Sequence, residues 1–379
     1  MLAESIGAAA LAIWIYLLLG RGGFWRMREA PPEGALPPVA PAVVAVVPAR
    51  NEALVVARAV GSLARQRYPG EFHIVLVDDA SADGTAAAAR AAAPADLLEV
   101  VSAGPVPAGW TGKLWAASEG TRAAGRFQAG YLLLTDADIV HPPENLSAPV
   151  ARAASGGYDM VSLMATLECR TFAERALIPA FVFFFFMLYP PAWVASLRRG
   201  TAAAAGGCIL VRREMLERVG GLAAIRGEVI DDCALARAVR RQGGRVWLGL
   251  SAATRSVRGY ATWGEIGRMI SRSAFAQLHH SVWLLIGAVL GLALTYMAPP
   301  VLAIAAPAPA AALGAGAWLL MSIAYFPALR FYRRSPLWAP LLPAIAAFYL
   351  GATIHSALCY WRGAGGMWKG RVQDSARRT

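Results

Sequence analysis

The sequence lacks the residue patterns that mark several large enzyme classes. Its four cysteines form neither a CxxC pair nor a zinc-ligand spacing, which predicts reduced thiols and no structural zinc site. Its five histidines form no metal-ligand pattern, and we interpret them as structural. No GxSxG, HExxH or Walker motif is present. These absences argue against a serine hydrolase, a zinc protease and a P-loop nucleotidase.

Charged residues, and lysines above all, are also scarce. Charged residues make up 16% of the chain and hydrophobic residues 57%, a composition too apolar for a purely soluble protein. Only two residues are lysines, so arginine supplies nearly all of the positive charge. Much of that charge flanks apolar segments, at residues 21–28, 330–334 and 369–378, and forms no stripe suited to nucleic acid. The placement suits anionic lipid headgroups and cytoplasmic loops, which predicts a membrane partner and no nucleic-acid partner.

An apolar segment near the start of the sequence predicts a transmembrane helix within residues 1–22. Residues 6–19 are short for a span on their own, and residues 1–5 can extend them. No basic region precedes the segment, which argues against a signal peptide. Basic residues follow it, so we expect the N-terminus outside and Arg21 on the cytoplasmic side. Residues 23–41 form a proline-rich linker.

Residues 280–361 predict C-terminal transmembrane helices, and residues 362–379 form a basic tail. Three apolar stretches are long enough to cross a bilayer: 282–306, 309–329 and 337–360. The arginines at 330–334 and the basic tail both suit the cytoplasmic side, yet a single span separates them. Either the last stretch is re-entrant, or the tail departs from the rule that basic loops are cytoplasmic.

Residues 176–194 form a further apolar segment, which is rich in phenylalanine. The segment is nearly long enough to cross a membrane, but it contains Pro179, Pro190 and Pro191. A span here would place the acidic residues before and after it on opposite faces of the bilayer. If those residues share a site, the segment must lie in the membrane interface. The alternative is a buried core helix, because a short apolar run does not distinguish the two.

Residues 42–275 predict one catalytic domain of the α/β class. Strand-like and helix-like segments alternate there, as is typical of a doubly wound sheet. The predicted strands are 42–47, 72–77, 97–101, 131–135 and 158–163. The predicted helices are 52–67, 85–93, 212–219 and 231–241.

Three acidic clusters lie in this domain, and the first two directly follow predicted strands. The clusters are Asp78-Asp79, Asp136-Ala137-Asp138 and Asp231-Asp232. In open α/β sheets, ligands bind at the carboxyl ends of the strands. Carboxylates in that position contribute little to core packing and are well placed to hold a metal and a nucleotide. The arrangement predicts an enzyme that uses an activated sugar nucleotide beside a membrane.

The second cluster, Asp136-Ala137-Asp138, is a DxD motif. Two acidic residues after a strand are often only solvated turn residues, so the context carries the prediction. A diphosphate leaving group concentrates negative charge, and Mg²⁺ or Mn²⁺ bridging it to a carboxylate offsets that charge as the bond breaks. Hard cations prefer oxygen ligands, which this cluster supplies.

Other residues carry charge suited to the same chemistry. The carboxylate of Asp79 follows a strand and can accept the N–H of a uracil-type base. Lys113 is one of only two lysines, and a compact charge suits a phosphate, although neutral drift is an alternative. Asp231 and Asp232 begin a predicted helix, where acidic residues stabilise the helix dipole. Two adjacent carboxylates exceed that need, and their repulsion raises one pKa, as a general base requires.

Together these motifs resemble family 2 glycosyltransferases with a GT-A fold, which is a Rossmann-like, mostly parallel sheet. The resemblance covers about residues 42–275. It rests on Val47-Pro48-Ala49-Arg50-Asn51-Glu52, Val77-Asp78-Asp79, Gly84-Thr85, the DxD motif, Gly206-Gly207 and Asp231-Asp232. Gly109-Trp110-Thr111-Gly112-Lys113 resembles the ceramide glucosyltransferase and carotenoid glycosyltransferase branch. Over its whole length, the chain is similar to hopene-associated glycosyltransferases.

The resemblance implies roles for individual residues in binding the donor. The implied nucleotide-sugar-binding residues are Pro48, Arg50, Glu52, Asp79, Lys113, Asp136 and Arg272. Asp79 would hold the base, Asp136 the ribose and Lys113 the diphosphate. Asp138 would bind Mg²⁺ or Mn²⁺, with Asp136 beside it.

The resemblance also implies the reaction. Asp232, with Asp231 beside it, would deprotonate the acceptor hydroxyl in an inverting, metal-dependent hexosyl transfer from a nucleotide sugar, with UDP-sugars as the favoured donors. Processive relatives carry Gln-x-x-Arg-Trp, whereas this chain keeps Arg272 and has Ser273 in place of the tryptophan. We therefore expect one sugar to be added to a membrane lipid, a hopanoid or a similar polycyclic isoprenoid. The resemblance places the enzyme in a bacterial inner membrane, with several spans and a cytoplasmic catalytic domain.

Two kinds of alternative remain open at the level of sequence. The acceptor could instead be a polyprenyl phosphate, a carotenoid or a sphingolipid. A catalytically silent membrane scaffold is the alternative outside enzymology, and it would tolerate loss of the acidic residues.

Overall fold

The computed structural model describes residues 1–29, 31, 33–367 and 369–373. The chain divides into two compact units. The sheet unit comprises Glu29–Glu168 and Trp193–Arg258, and the helical unit comprises Met1–Arg28, Cys169–Ala192 and Gly259–Thr379. Two residues of the predicted linker and part of the basic tail lie outside the described residues: Ala30, Pro32, Trp368 and 374–379.

The sheet unit contains one eight-stranded mixed sheet. Its strands are β1 (Val43–Ala49), β2 (Phe72–Asp78), β3 (Leu98–Ser102), β4 (Tyr131–Leu134), β5 (Ile139–Val140), β6 (Met160–Thr166), β7 (Ile209–Arg212) and β8 (Val246–Ser256). Their order across the sheet is β3-β2-β1-β4-β7-β6-β8-β5. The first four are mutually parallel, β7 is antiparallel to both of its neighbours, and β6 and β8 are parallel. The predicted α/β class with a Rossmann-like, mostly parallel sheet is confirmed.

The helices account for most of the remaining chain. In chain order they are α1 (Leu2–Leu19), α2 (Ala53–Ala64), α3 (Thr85–Arg90), α4 (Gly112–Ala123), α5 (Ser147–Gly156), α6 (Phe172–Leu188), α7 (Pro191–Val194), α8 (Arg213–Val219), α9 (Asp231–Arg241), α10 (Trp263–Ser271), α11 (Ala274–Gln277), α12 (Val282–Leu292), α13 (Ala298–Ala305), α14 (Ala310–Phe331) and α15 (Leu342–Trp361). Short 3₁₀ helices cover Phe24–Arg26, Ala124–Phe127, Leu222–Ile225 and Pro336–Leu341, and a π-helical turn covers Ala293–Met297.

Burial at the centre of the sheet explains why its first strands can be predicted from the sequence. Every residue of β1 is buried, because the strand lies between two parallel neighbours and helices cover the sheet. Strands in that position read as continuous apolar runs. In register, Ala49 at the end of β1 pairs with Asp78 at the end of β2. The loops after these strands therefore leave the sheet at one edge.

Three strands, β5, β7 and β8, have no counterpart among the five strands predicted from sequence. β5 has two residues, too short for a hydrophobic pattern to develop, and β7 has four. β8 is longer, but its second half, Ser251–Ser256, is polar and partly exposed. Tertiary pairing, rather than local sequence preference, makes these segments strands.

Among the described residues, five helical segments are long and apolar enough to cross a membrane. They are Leu2–Leu19, Phe172–Val194, Val282–Ala305, Ala310–Phe331 and Pro336–Trp361, all within the helical unit apart from the last two residues of the second. Inside this unit, the indole Nε1 of Trp14 on α1 donates at 2.9 Å to the carbonyl oxygen of Thr295, which lies in the π-helical turn. The predicted apolar segments at both ends are helices, as expected.

The phenylalanine-rich segment forms α6, which begins with a capping box. The Thr171 side chain accepts from the Glu174 N–H, and the Glu174 carboxylate accepts from the Thr171 N–H. Phe183 is fully buried and contacts the rings of Phe24 and Tyr325. This face of α6 is therefore core of the helical unit, and Phe183 does not line a lipid-facing surface. An interfacial position for the segment remains a prediction.

Candidate active site

The acidic clusters converge at the carboxyl edge of the parallel strands. Because β2, β1 and β4 are adjacent and parallel, the loops that follow them leave the sheet side by side. Asp79 follows β2, Glu52 follows β1, and Asp136 and Asp138 follow β4. The predicted position of the site at this edge therefore has a structural basis.

Lys113 joins two of the three acidic clusters. It lies in the first turn of α4, which Thr111 caps by accepting the Leu114 N–H. Its Nζ lies 2.9 Å from Asp136 Oδ1 and 3.1 Å from Asp231 Oδ2. Burial lowers the pKa of Lys113, but the carboxylates of Asp136 and Asp231 more than offset this, so its pKa is raised and the ammonium stays charged.

Asp232 is held by backbone groups beside that ammonium. It lies in the first turn of α9, where its Oδ1 accepts the Cys233 N–H at 2.7 Å. Its Oδ2 accepts the Gly206 N–H at 2.8 Å. A Cβ at Gly206 would lie 3.4 Å from both Asp232 Oδ2 and Lys113 Nζ, so glycine leaves open the space between the two charged groups.

The surroundings of Asp232 change its acidity. Burial raises the pKa of its carboxyl, and the adjacent Asp231 raises it further. Lys113 and the N–H groups of Cys233 and Gly206 lower it, and the result is a pKa of about 6. A carboxylate with such a pKa is mostly ionised at pH 7 and is a much better proton acceptor than an ordinary aspartate.

The two carboxylates of the DxD motif have different cationic partners. Asp136 bonds to Lys113, whereas Asp138 Oδ2 accepts from Ser256 Oγ at 2.8 Å and from Arg258 Nε at 3.1 Å. The Arg258 Nη2 group also reaches both oxygens of Glu52, at 2.5 and 2.6 Å. Neither Ser256 nor Arg258 was identified from sequence, because Ser256 ends β8 and Arg258 follows it, and the hydrophobic pattern does not reveal this strand.

Asp79 and Arg50 form a separate pair at the same edge. Asp79 is only 2% exposed, and its N–H donates to the Ala49 carbonyl oxygen. Arg50 Nη1 donates to the Asp79 carbonyl oxygen at 2.5 Å and lies 3.6 Å from its carboxylate. Pro48, in turn, lines a small cavity with Lys113 and the carboxylates of the second and third clusters. These predicted donor-binding residues therefore lie at one edge of the sheet.

Arg272 belongs to the helical unit, whereas the residues described above belong to the sheet unit. It is the C-cap of α10 in the helical unit, and its N–H donates to the Arg268 carbonyl oxygen. A role for Arg272 in donor binding remains a prediction.

A buried hydrogen-bond network supports the loop that carries the DxD motif. Asn145 donates to His141 Nδ1, which leaves Nε2–H of His141 to donate to Thr135 Oγ1. Thr135 in turn donates to the Gly207 carbonyl oxygen at 2.7 Å, and Thr254 on β8 donates to Asn145. Burial lowers the pKa of His141 to about 4, so it stays neutral, as this pattern of donors requires. The structural interpretation of His141 agrees with these contacts.

The donor set fits a hard divalent cation. The oxygens at hand are carboxylates, which Mg²⁺ and Mn²⁺ prefer. Among the described residues, no group of three or more histidine, cysteine, aspartate or glutamate side chains is arranged to hold a metal. A cation here would take one or two carboxylates, from Asp136 and Asp138, and the rest of its ligands from substrate phosphates and water, which is how Mg²⁺ usually binds in enzymes.

Comparison with known proteins identifies the sheet unit's relatives. The family model described as Glycosyltransferase like family 2 matches residues 40–275. A solved mannosyltransferase from Pyrobaculum calidifontis, in complex with GDP-Man and Mn²⁺, is similar with a TM-score of 0.60 and 21% identity, over 94% of this chain and 99% of that one. At that identity the likeness concerns the fold, and it agrees with the GT-A fold. No curated protein matches the chain by sequence.

Two further solved structures show weaker likeness. Mannosyl-3-phosphoglycerate synthase from Rubrobacter xylanophilus has a TM-score of 0.40 and 18% identity, over 63% of this chain and 74% of that one. Glucosyl-3-phosphoglycerate synthase from Mycobacterium tuberculosis, in complex with Mn²⁺, UDP-Glc and glycerol 3-phosphate, has a TM-score of 0.41 and 17% identity, over 63% and 79%.

Proposed function

Because the chain belongs to glycosyltransferase-like family 2, it is a glycosyltransferase, and we propose that it transfers a single sugar from a nucleotide sugar to a membrane lipid. The favoured donor is a UDP-sugar, and the favoured acceptor is a hopanoid or a similar polycyclic isoprenoid. The observation that carries the proposal is the cluster in which Lys113 bridges Asp136 and Asp231, with Asp232 beside it.

This cluster supports a division of labour in donor binding. Lys113 contacts the diphosphate, since its partly exposed ammonium stays charged at the strand edge. Asp136 contacts the ribose, and Asp79 holds the base at the end of the neighbouring strand. Asp138 and Asp136 would hold Mg²⁺ or Mn²⁺, which would offset the negative charge of the diphosphate leaving group.

Asp232 is the general base in this proposal. It removes the proton from the acceptor hydroxyl as that oxygen forms a bond to the anomeric carbon of the sugar. The bond between this carbon and the diphosphate oxygen breaks on the opposite side, so the anomeric configuration is inverted. The nucleoside diphosphate leaves with the electron pair, and its negative charge develops near Lys113. Asp231 keeps Lys113 in place and raises the pKa of the base.

Five helices of membrane-spanning length favour a lipid acceptor. A lipid is held by its tail in the bilayer, which supplies its local concentration without a sugar-binding tunnel. Basic residues follow α1 and lie between α14 and α15, which favours a cytoplasmic position for those connections in a bacterial inner membrane.

The rate of transfer should rise with pH through about 6. Asp232 accepts a proton only when ionised, and its pKa of about 6 lies above the ordinary aspartate value. Below this pH the single-turnover rate should fall about tenfold per pH unit, since only the ionised form acts as base. In Asp231→Asn, the pH at which the transfer rate begins to fall should be lower, because one of the causes that raise the pKa of Asp232 is gone. If the pH dependence of the rate is the same in this variant as in the wild type, Asp232 is not the base.

The proposed product is a lipid with one added hexose or amino-hexose. The decisive experiment offers UDP- and GDP-sugars to the purified enzyme with hopanoid, polyprenyl phosphate or total lipid extract, and identifies products by mass spectrometry. We expect one sugar mass on a hopanoid, because Ser273 replaces the tryptophan of processive relatives. A ladder of repeated sugar masses would favour a polymerase. Exclusive use of polyprenyl phosphate would show that the acceptor is a polyprenyl phosphate and not a hopanoid. No product from any pair would favour the scaffold alternative.

A further inference from the structure

Asp138 is engaged by an arginine at the position where a metal ligand is needed. Its Oδ2 accepts from Arg258 Nε at 3.1 Å and from Ser256 Oγ at 2.8 Å, and the residue is only 9% exposed. Asp136 is likewise engaged by Lys113. Both carboxylates of the DxD motif are therefore neutralised by cations of the chain itself, so a divalent cation has to compete with those cations for the same oxygens.

The contacts of Arg258 are unequal, which indicates how it can be displaced from Asp138. Its Nη2 group lies 2.5 and 2.6 Å from the two oxygens of Glu52, a residue that is 8% exposed. Its contact with Asp138, through Nε, is longer. The Glu52 N–H is itself fixed by donation to Thr85 Oγ1 at 2.8 Å. Glu52 is thus the anchor of the guanidinium, and the contact with Asp138 is the one suited to break.

The charge balance of the site requires that a cation leaving a carboxylate be replaced by another cation. Lys113 and Arg258 lie among a larger set of carboxylates, those of Glu52, Asp136, Asp138, Asp231 and Asp232. Withdrawing a cation from a buried carboxylate without replacing it leaves an uncompensated charge, which is strongly unfavourable. A nucleoside diphosphate alone would meet an excess of negative charge, and a divalent cation alone would meet cations already in place.

We infer that Glu52 and Arg258 form a latch on Asp138 that couples binding of the divalent cation to binding of the nucleoside diphosphate. The diphosphate oxygens take over Arg258 and Lys113 as the carboxylates of Asp138 and Asp136 take the metal. This inference rests on the proposed function and concerns the order in which its site is filled. Each ligand alone binds weakly, and each strengthens the other by the same factor, since coupling between two binding sites is reciprocal.

The latch predicts that Arg258→Gln strengthens the binding of Mn²⁺ alone and weakens the enhancement of that binding by a nucleoside diphosphate. Arg258→Gln frees Asp138, so Mn²⁺ alone should bind at least about tenfold more tightly, the lower limit of what an adjacent opposite charge does to proton binding by a carboxylate. In the wild type, UDP or GDP should tighten Mn²⁺ binding by about 5- to 150-fold, the usual range of such coupling. In Arg258→Gln this enhancement should be smaller than in the wild type, because only the phosphate oxygens that the nucleotide offers to the metal remain as its cause.

The experiment titrates the purified full-length protein with Mn²⁺ and follows free Mn²⁺ by electron paramagnetic resonance, without nucleotide and with UDP or GDP. Arg255→Gln is the matched control, because Arg255 is exposed, lies on β8 three residues before Arg258, and its loss removes the same charge. Arg258→Gln leaves Glu52 without this partner, so Glu52→Gln/Arg258→Gln removes both charges and should also bind Mn²⁺ alone more tightly.

The outcomes separate the latch from the proposed function. If the wild type does not bind Mn²⁺ in the presence of either UDP or GDP, the metal-dependent function is wrong. If the wild type shows the enhancement but Mn²⁺ affinity in Arg258→Gln and in the double variant is unchanged or weaker, the latch alone is overturned. If Arg255→Gln and Arg258→Gln change the Mn²⁺ affinity equally, the change results from the lost positive charge alone, and the latch is also overturned.

Discussion

Asp232→Asn is expected to lower the rate of sugar transfer by roughly 10²–10⁴-fold, the contribution of a general base, while the donor still binds. The amide cannot accept the proton of the acceptor hydroxyl, whereas Lys113 and the DxD carboxylates remain in place to hold the donor. Transfer should be measured in single turnovers with donor in excess. Donor affinity should be measured separately, by calorimetry with the nucleoside diphosphate and Mn²⁺.

The donor-binding measurement also controls for folding. Asp232 accepts two backbone N–H groups, from Gly206 and Cys233, and an asparagine offers only one acceptor oxygen to them. Retained donor affinity would show that this region is intact. Asp96→Asn, at an exposed position, is the matched control and should transfer normally. Normal transfer by Asp232→Asn would remove this residue from the role of base.

Removal of divalent metal is expected to abolish transfer. Lys113 and Arg258 lie among the carboxylates of Glu52, Asp136, Asp138, Asp231 and Asp232, so a diphosphate is repelled unless Mg²⁺ or Mn²⁺ adds positive charge. With excess EDTA the initial rate should fall to background, and Mn²⁺ or Mg²⁺ added beyond the chelator should restore it. Undiminished transfer in EDTA would show that the chain's own cations suffice.

The carboxylate responsible can be located in the same assay. Asp138→Asn should raise the Mn²⁺ concentration for half-maximal rate by at least about tenfold, because one of the two candidate ligands loses its charge. It should also weaken binding of the nucleoside diphosphate in the presence of metal. Asp159→Asn, an aspartate of the sheet unit that pairs with Arg212, is the comparison and should leave the metal requirement unchanged.

Local sequence is sufficient for the first half of the sheet. β1, β2 and β4 are buried parallel strands, so each appears as an apolar run that ends at charged or polar residues. Since parallel strands end at a common edge, the positions of Asp79 and of the DxD motif follow from the same pattern. The apolar helices at the two ends follow from length and composition alone.

The partners of these acidic residues are decided by the tertiary structure. Asp138 meets Arg258, 120 residues later, and Asp232 meets the N–H of Gly206. Hydrogen bonds of this kind depend on strand pairing between distant segments, which no local pattern encodes. β8 is the example: its polar second half becomes a strand only through pairing with β6 and β5, and that pairing delivers Ser256 and Arg258 to the DxD motif.

The sequence by itself therefore determines which acidic groups are available and at which edge of the sheet they lie, because burial and strand direction are local properties. Only the tertiary structure decides which cation each carboxylate meets. It is the reason that Lys113 bridges two clusters, that Asp232 is the aspartate with a pKa of about 6, and that Asp138 is held by an arginine. Charge and acidity at a site depend on distances of a few ångströms, and those distances are set by packing between segments far apart in the chain.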